Sequence, residues 1–80
     1  MKLFITNVTM KHHHYDNDKM KHLWIQQKLG PDASKKLYSS AKISTLKQHC
    51  VSLPDEIFAV CEVYATFEDQ ADAAWFILNN

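Results

Sequence analysis

Glu56-Ile57-Phe58-Ala59-Val60-Cys61-Glu62-Val63-Tyr64-Ala65-Thr66-Phe67 is the stretch that decides the fold. It contains no Gly or Pro and is rich in β-branched and aromatic side chains, so it reads as one long strand. Ile57, Ala59, Cys61, Val63, Ala65 and Phe67 share one face. Phe58, Val60, Glu62, Tyr64 and Thr66 share the other. Both faces are largely apolar, which predicts a strand covered over at least part of each side.

Downstream, Asp69 is placed to cap a helix running through Leu78, with Ala71, Ala74, Trp75 and Leu78 on one stripe. Asp72 falls in its first turn, where the helix dipole favours a carboxylate. Upstream, residues 32–53 read two ways. Asp32 can cap a helix with Ala33, Leu37 and Ala41 at four-residue steps, and Thr45-Leu46-Lys47-Gln48 fits a capping box opening a short helix before Pro54. Alternatively Leu37, Ser39, Ala41, Ile43 and Thr45 alternate as in a strand. The helical reading is preferred.

Nearer the N-terminus, Gly30-Pro31 stops a helix from about Lys19 to Leu29, capped by Asp16, Asn17 or Asp18. Its apolar face is Met20, Leu23, Trp24 and Leu29, broadened by Ile25. Residues 2–9 are short and rich in β-formers, predicting another strand, followed by a polar loop from Lys11 to Tyr15. The expected fold is therefore α+β, a single domain over residues 1–80. A small antiparallel sheet, with strands near 2–9 and 56–68 and room for a third, is backed by two or three helices.

Charge is divided along the chain. Residues 1–50 hold all nine lysines against three acids, a surplus of +6, and all five histidines. Residues 51–80 hold six acids and no lysine, a charge of −6. Such poles can attract each other or attract partners. Arginine is absent, which removes the planar fork that most nucleic-acid binders use on phosphates. The same bias is common in products of AT-rich genomes, small bacteriophage proteins among them. Two cysteines, Cys50 and Cys61, are too few for a disulfide scaffold, and no apolar run approaches membrane-spanning length. A soluble, cytoplasmic chain with free thiols is expected.

Chemistry-bearing groupings are sparse. His12-His13-His14, with Asp16, Asp18 and His22 nearby, includes an Asp18/His22 spacing suited to metal ligation, but adjacent loop histidines point apart and a solvated loop is the expected state. His49 and Cys50 are sequence neighbours and so diverge, and a single glycine leaves no phosphate-cradling loop. Neither a catalytic role, nor a cofactor, nor a metal is expected.

Leu3-Phe4-Ile5-Thr6-Asn7-Val8 resembles the first-strand motif of RNA-recognition-motif domains, and Tyr64-Ala65-Thr66-Phe67-Glu68-Asp69 with the Ala-rich helix after it resembles their third strand and second helix. The resemblance implies a ferredoxin-like sheet. It would make Phe4, Tyr64 and, further along, Phe67 the candidates for base stacking, and the basic stretch Lys35, Lys36 and Lys42 is the candidate for phosphate contact. Val60-Cys61-Glu62 stands where that family has a basic residue, a glycine and an aromatic.

Trp75, Phe76, Ile77 and Leu78 are four consecutive large apolar residues on one helix, where each step turns by about 100°. Trp75 and Leu78 are expected to face the core, turning Phe76 or Ile77 outward. Trp75, Phe76 and Ile77 are therefore the expected partner surface. The leading expectation is a non-enzymatic protein-binding domain, a small inhibitor or adaptor acting on a larger protein target, or self-associating through the same helix as a homodimer. A phage-encoded inhibitor of a host enzyme or defence system fits the composition. The alternative is a single-stranded nucleic-acid binder, with weak affinity.

Overall fold

The computed structural model describes residues 1–79. Strand β1 (Lys2–Lys11) leads through a 3-10 turn (His12–His14) into helices α1 (Asp18–Leu29) and α2 (Pro31–Ser40). Strands β2 (Ala41–Leu53) and β3 (Glu56–Phe67) follow, then helix α3 (Gln70–Asn79). The sheet is antiparallel in the order β1-β3-β2, so the strand read first in the sequence is its centre. β1 and β2, each antiparallel to β3, run parallel to one another, with α1 and α2 in the connection between them. This small α+β fold packs its three helices against the sheet.

Helix boundaries follow local chemistry. Asn17 caps α1 by accepting from the Met20 amide at 3.1 Å, and Asp69 accepts from the Ala71 amide at 2.8 Å ahead of α3. Between α1 and α2, Gly30 sits at φ +91° and ψ 157°, a conformation that side chains resist, and Pro31 then starts α2.

Residues 41–53 correct the helical preference for that segment. Only the first part, to Ser40, is helical, and Ala41 turns directly into extended backbone at φ −147°. The strand alternation of Ala41, Ile43 and Thr45 finds Phe67, Ala65 and Val63 opposite, and this pairing outweighs the local capping pattern at Thr45–Gln48. Within α1 Ile25, Trp24 and Leu29 of the expected face pack into the core, with Ile25 the most buried, while Leu23 turns away and is half exposed.

The core lies between one sheet face and the helices. Ala59, Cys61, Val63, Ala65 and Phe67 of β3 are buried there, alternating as the pleat requires. β1 contributes Leu3 and Ile5 but also Val8 and Met10, an odd pair and an even pair. Strand periodicity forbids all four on one face without an extra residue, and a register shift between Phe4 and Thr6 supplies it. A matching shift between Lys47 and His49 resets β2. One cluster gathers Val8, Met10, Ile25, Ala59, Cys61 and Val63. The other gathers Leu37, Ala65, Phe67, Ala73 and Phe76, with Ile5, Leu29 and Ile43 bridging the two.

Lengths explain what stays uncovered. Strands of 12 and 13 residues reach about 40 Å, whereas the 12-residue α1 reaches about 18 Å. The helices therefore cover only part of the β2–β3 hairpin, and every residue from Leu46 to Asp55 is exposed. No helix among the described residues is long and apolar enough to cross a membrane.

Candidate functional site

Because the helices share one side of the sheet, the other side is open. Register places Lys2, Phe4, Asn7 and Thr9 of β1 on it, beside Thr66, Tyr64, Glu62, Val60 and Phe58 of β3. β2 adds Lys42, Ser44, Leu46, His49 and Val51. Antiparallel sheets with one wet face usually alternate apolar inside with polar outside. Here Phe4 is 50% exposed and Leu46 54%, with Val51 and Leu53 also exposed and Tyr64, Val60 and Phe58 half-buried.

Polar groups are woven into this apolar field. Phe4 and Tyr64, cross-strand neighbours, meet edge to face with centroids 5.7 Å apart. The Lys2 ammonium lies 5.0 Å from the Tyr64 ring centroid. The Tyr64 hydroxyl donates to Glu62 Oε1 at 3.0 Å, and the Gln48 amide donates to the same oxygen. The hydrogen bond to Glu62, then partial burial and the carboxylate's charge, push the Tyr64 phenol above its ordinary pKa. A shallow recess of about 440 Å³ opens beside these groups, lined by Lys2, Ser44, Thr45, Leu46 and Tyr64.

The C-terminal helix adjoins this face at its β1 side. A recess of about 260 Å³ is lined by Leu3, Phe4, Ile5, Phe76 and Ile77. The expected orientation of α3 is corrected here. Phe76 is 2% exposed and packs with Ala73 against Phe67, whereas Leu78 is 83% exposed. The stripe is Ala73–Phe76, one step round from the expected Trp75–Leu78. Phe76 therefore belongs to the core. Ile77 is 61% exposed and Trp75 is partly exposed, meeting Phe76 edge to face at 5.0 Å with Lys36 Nζ 5.7 Å above its ring.

Of the residues proposed for nucleic-acid contact, Phe4, Tyr64 and Lys42 do share the open face, whereas Phe67 points into the core. Lys35 and Lys36 sit on α2 behind the sheet, and Lys36 pairs with Asp72 at 3.4 Å. Lys2, Leu46 and Val51 join this face only through the strand register, which the capping pattern at Thr45–Gln48 conceals for β2.

Each member of the histidine run has a contact of its own. His14 accepts from Trp24 at 3.0 Å, His13 meets His14 edge to face, and His12 lies 3.4 Å from Lys47. His22 stacks on Tyr38 with ring centroids 4.0 Å apart. Among the described residues no three His, Cys, Asp or Glu side chains are grouped to hold a metal ion. Cys50 is exposed and Cys61 buried. Burial pushes the Cys61 thiol up, offset by Lys21 and Lys47. His49 and Cys50 are consecutive on a strand and so point to opposite sheet faces.

No family model matches this chain, nor does any curated protein or solved structure. Its reading rests on its own geometry.

Proposed function

We propose that this chain is a non-catalytic protein-binding module, an inhibitor or adaptor that covers a surface on a larger protein through the open face of its sheet. The observation that carries the proposal is the apolar field formed by Phe4, Leu46, Val51, Phe58, Val60 and Tyr64, extended by Ile77 around the β1 side. Exposed apolar side chains gathered on one face, interrupted at Glu62 and rimmed by polar groups, are what a partner buries. Lys2 and Lys42 at one end of the face, and the Lys11–Glu56 pair at the hairpin end, give the apolar field a charged margin. A cytoplasmic setting fits the two free thiols, and a phage-encoded inhibitor of a host enzyme or defence system fits the composition.

Single-stranded nucleic acid is a poorer occupant of the same face. Glu62 stands at its centre and repels phosphate, and the Tyr64 ring already engages Phe4 and Lys2. Stacking needs a free ring face.

The test is crosslinking capture from host cells, with and without nuclease, using the parent and a Leu46→Glu variant checked for folding by circular dichroism. A nuclease-resistant protein partner held by the parent and lost by the variant supports the proposal. Capture abolished by nuclease transfers the face to nucleic acid. A partner retained by Leu46→Glu moves the docking surface off the sheet.

A further inference from the structure

The helix-covered side of the sheet carries a separate grouping, at the margin where β2 outruns α1. Tyr15, just after the 3-10 turn, donates its hydroxyl to the Thr45 carbonyl at 3.4 Å, which ties the ring to β2. Two ammonium groups gather on that ring. Lys21 Nζ lies 4.6 Å from its centroid and donates to Thr45 Oγ1 at 3.0 Å. Lys47 Nζ lies 5.4 Å from the same centroid and 3.4 Å from His12 Nε2. These residues come from four parts of the chain, namely the 3-10 turn, the segment after it, α1 and β2.

Lysines with a carboxylate partner look different here. Lys11 pairs with Glu56 and Lys36 with Asp72, and these are the ion pairs among the described residues. Among the described residues Lys21 and Lys47 have no carboxylate within pairing distance, although the chain carries as many acids as lysines. Both ammonium groups border one phenol ring, which compensates positive charge only in part. The arrangement is complementary to a compact anion with more than one negative charge.

We propose that Lys21, Lys47, His12 and Tyr15 form a binding site for a phosphate group. A phosphate monoester carries about −1.5 to −2 at neutral pH, which matches two ammonium groups, whereas a carboxylate leaves one uncompensated. Lysine serves as a point-charge phosphate ligand, and its flexible stem lets both ammonium groups turn from the ring toward a shared anion. His12 adds a ring N–H donor, and the Thr45 hydroxyl becomes free to donate once Lys21 turns away. The site lies on the opposite side of the sheet from the open face, so it stands or falls independently of the protein-binding proposal.

The experiment is an NMR titration of the isotopically labelled chain with inorganic phosphate and, separately, glycerol phosphate. Sodium chloride at matched ionic strength and acetate serve as controls. Saturable shifts at His12, Tyr15, Lys21 and Lys47 are expected with the phosphates and not with the controls. Lys21→Met and Lys47→Met should each weaken the affinity about tenfold, and Lys35→Met, on the far part of α2, should leave it unchanged. Tighter binding of glycerol phosphate identifies a monoester as the ligand, and equal binding identifies free phosphate. Absence of saturation, shifts reproduced by sodium chloride or acetate, or an unaltered affinity in Lys47→Met with the fold retained overturns the site.

Discussion

The indole N–H of Trp24 donates to Nδ1 of His14 at 3.0 Å, tying the 3-10 turn to the first helix. The bond requires Nδ1 to be unprotonated. Consistently, partial burial, then the neighbouring charges of His13 and Lys11, hold His14 below its ordinary pKa of 6.5. A histidine with a lowered folded pKa binds fewer protons in the folded state than in the unfolded one. Its stabilising effect is complete above 6.5 and is lost as pH falls through 6.5 toward the folded value. The urea midpoint is therefore expected to fall between pH 7.5 and pH 5, and Trp24→Phe, which removes the donor, should flatten that fall. An equal slope in parent and variant would assign the acid sensitivity to another group.

Phe76 and Ile77 are adjacent yet should respond oppositely to truncation. Phe76→Ala empties a packed position between α3 and β3 and should cost about 3 kcal/mol or more of stability. Ile77→Ala, at a largely exposed position, should stay within about 0.5 kcal/mol. Chemical denaturation of the two variants decides it, and a reversed order would place the α3 stripe one step away.

Gly30→Ala isolates backbone strain. A Cβ at that position meets nothing within 4 Å, so the cost arises from φ +91° alone. That backbone region is nearly exclusive to glycine, and a loss of about 1–3 kcal/mol is expected. A neutral result in thermal unfolding would mean that the α1–α2 joint relaxes to a conformation open to other residues.

Thiol labelling should separate the cysteines. Cys50, exposed on β2, should react with a maleimide or disulfide reagent at once, while Cys61, buried with its thiol pushed up by burial, should react only on unfolding. Mass spectrometry under native conditions should find a single adduct, at Cys50. A double adduct at equal rates would show that the β2–β3 end opens readily.

The parts of the fold legible in the sequence were those set by local chemistry. Asn17, Gly30, Pro31 and Asp69 mark helix ends through their own backbone preferences, and the alternation of residues 56–67 shows a strand without reference to any partner. Residues 41–53 were not legible, because their strand state depends on β3 lying alongside, and Thr45-x-x-Gln48 offered a competing local pattern. The odd–even switch from Leu3 and Ile5 to Val8 and Met10 was a visible trace of the β1 bulge, meaningful only once all four were known to face inward. In α3, with four large apolar residues in succession, the hydrophobic pattern alone could not choose a stripe. Packing against Phe67 chose Phe76. Phe4 and Tyr64 were singled out through resemblance, and their direct pairing required the register.

A sheet of three strands has two rims, and on each of them main-chain amides and carbonyls lack a neighbouring strand. Such rims can template stacking into fibres. The outer strands carry Lys2 and Lys11 on one rim and Lys42 and Lys47 on the other, while the shielded central strand carries none. Four of the chain's lysines thus sit on the strands where an added strand would have to pair, and charge on an edge strand discourages such pairing. Acetylating them would remove that charge from both rims, together with the Lys11–Glu56 ion pair and the ring contacts of Lys2 and Lys47.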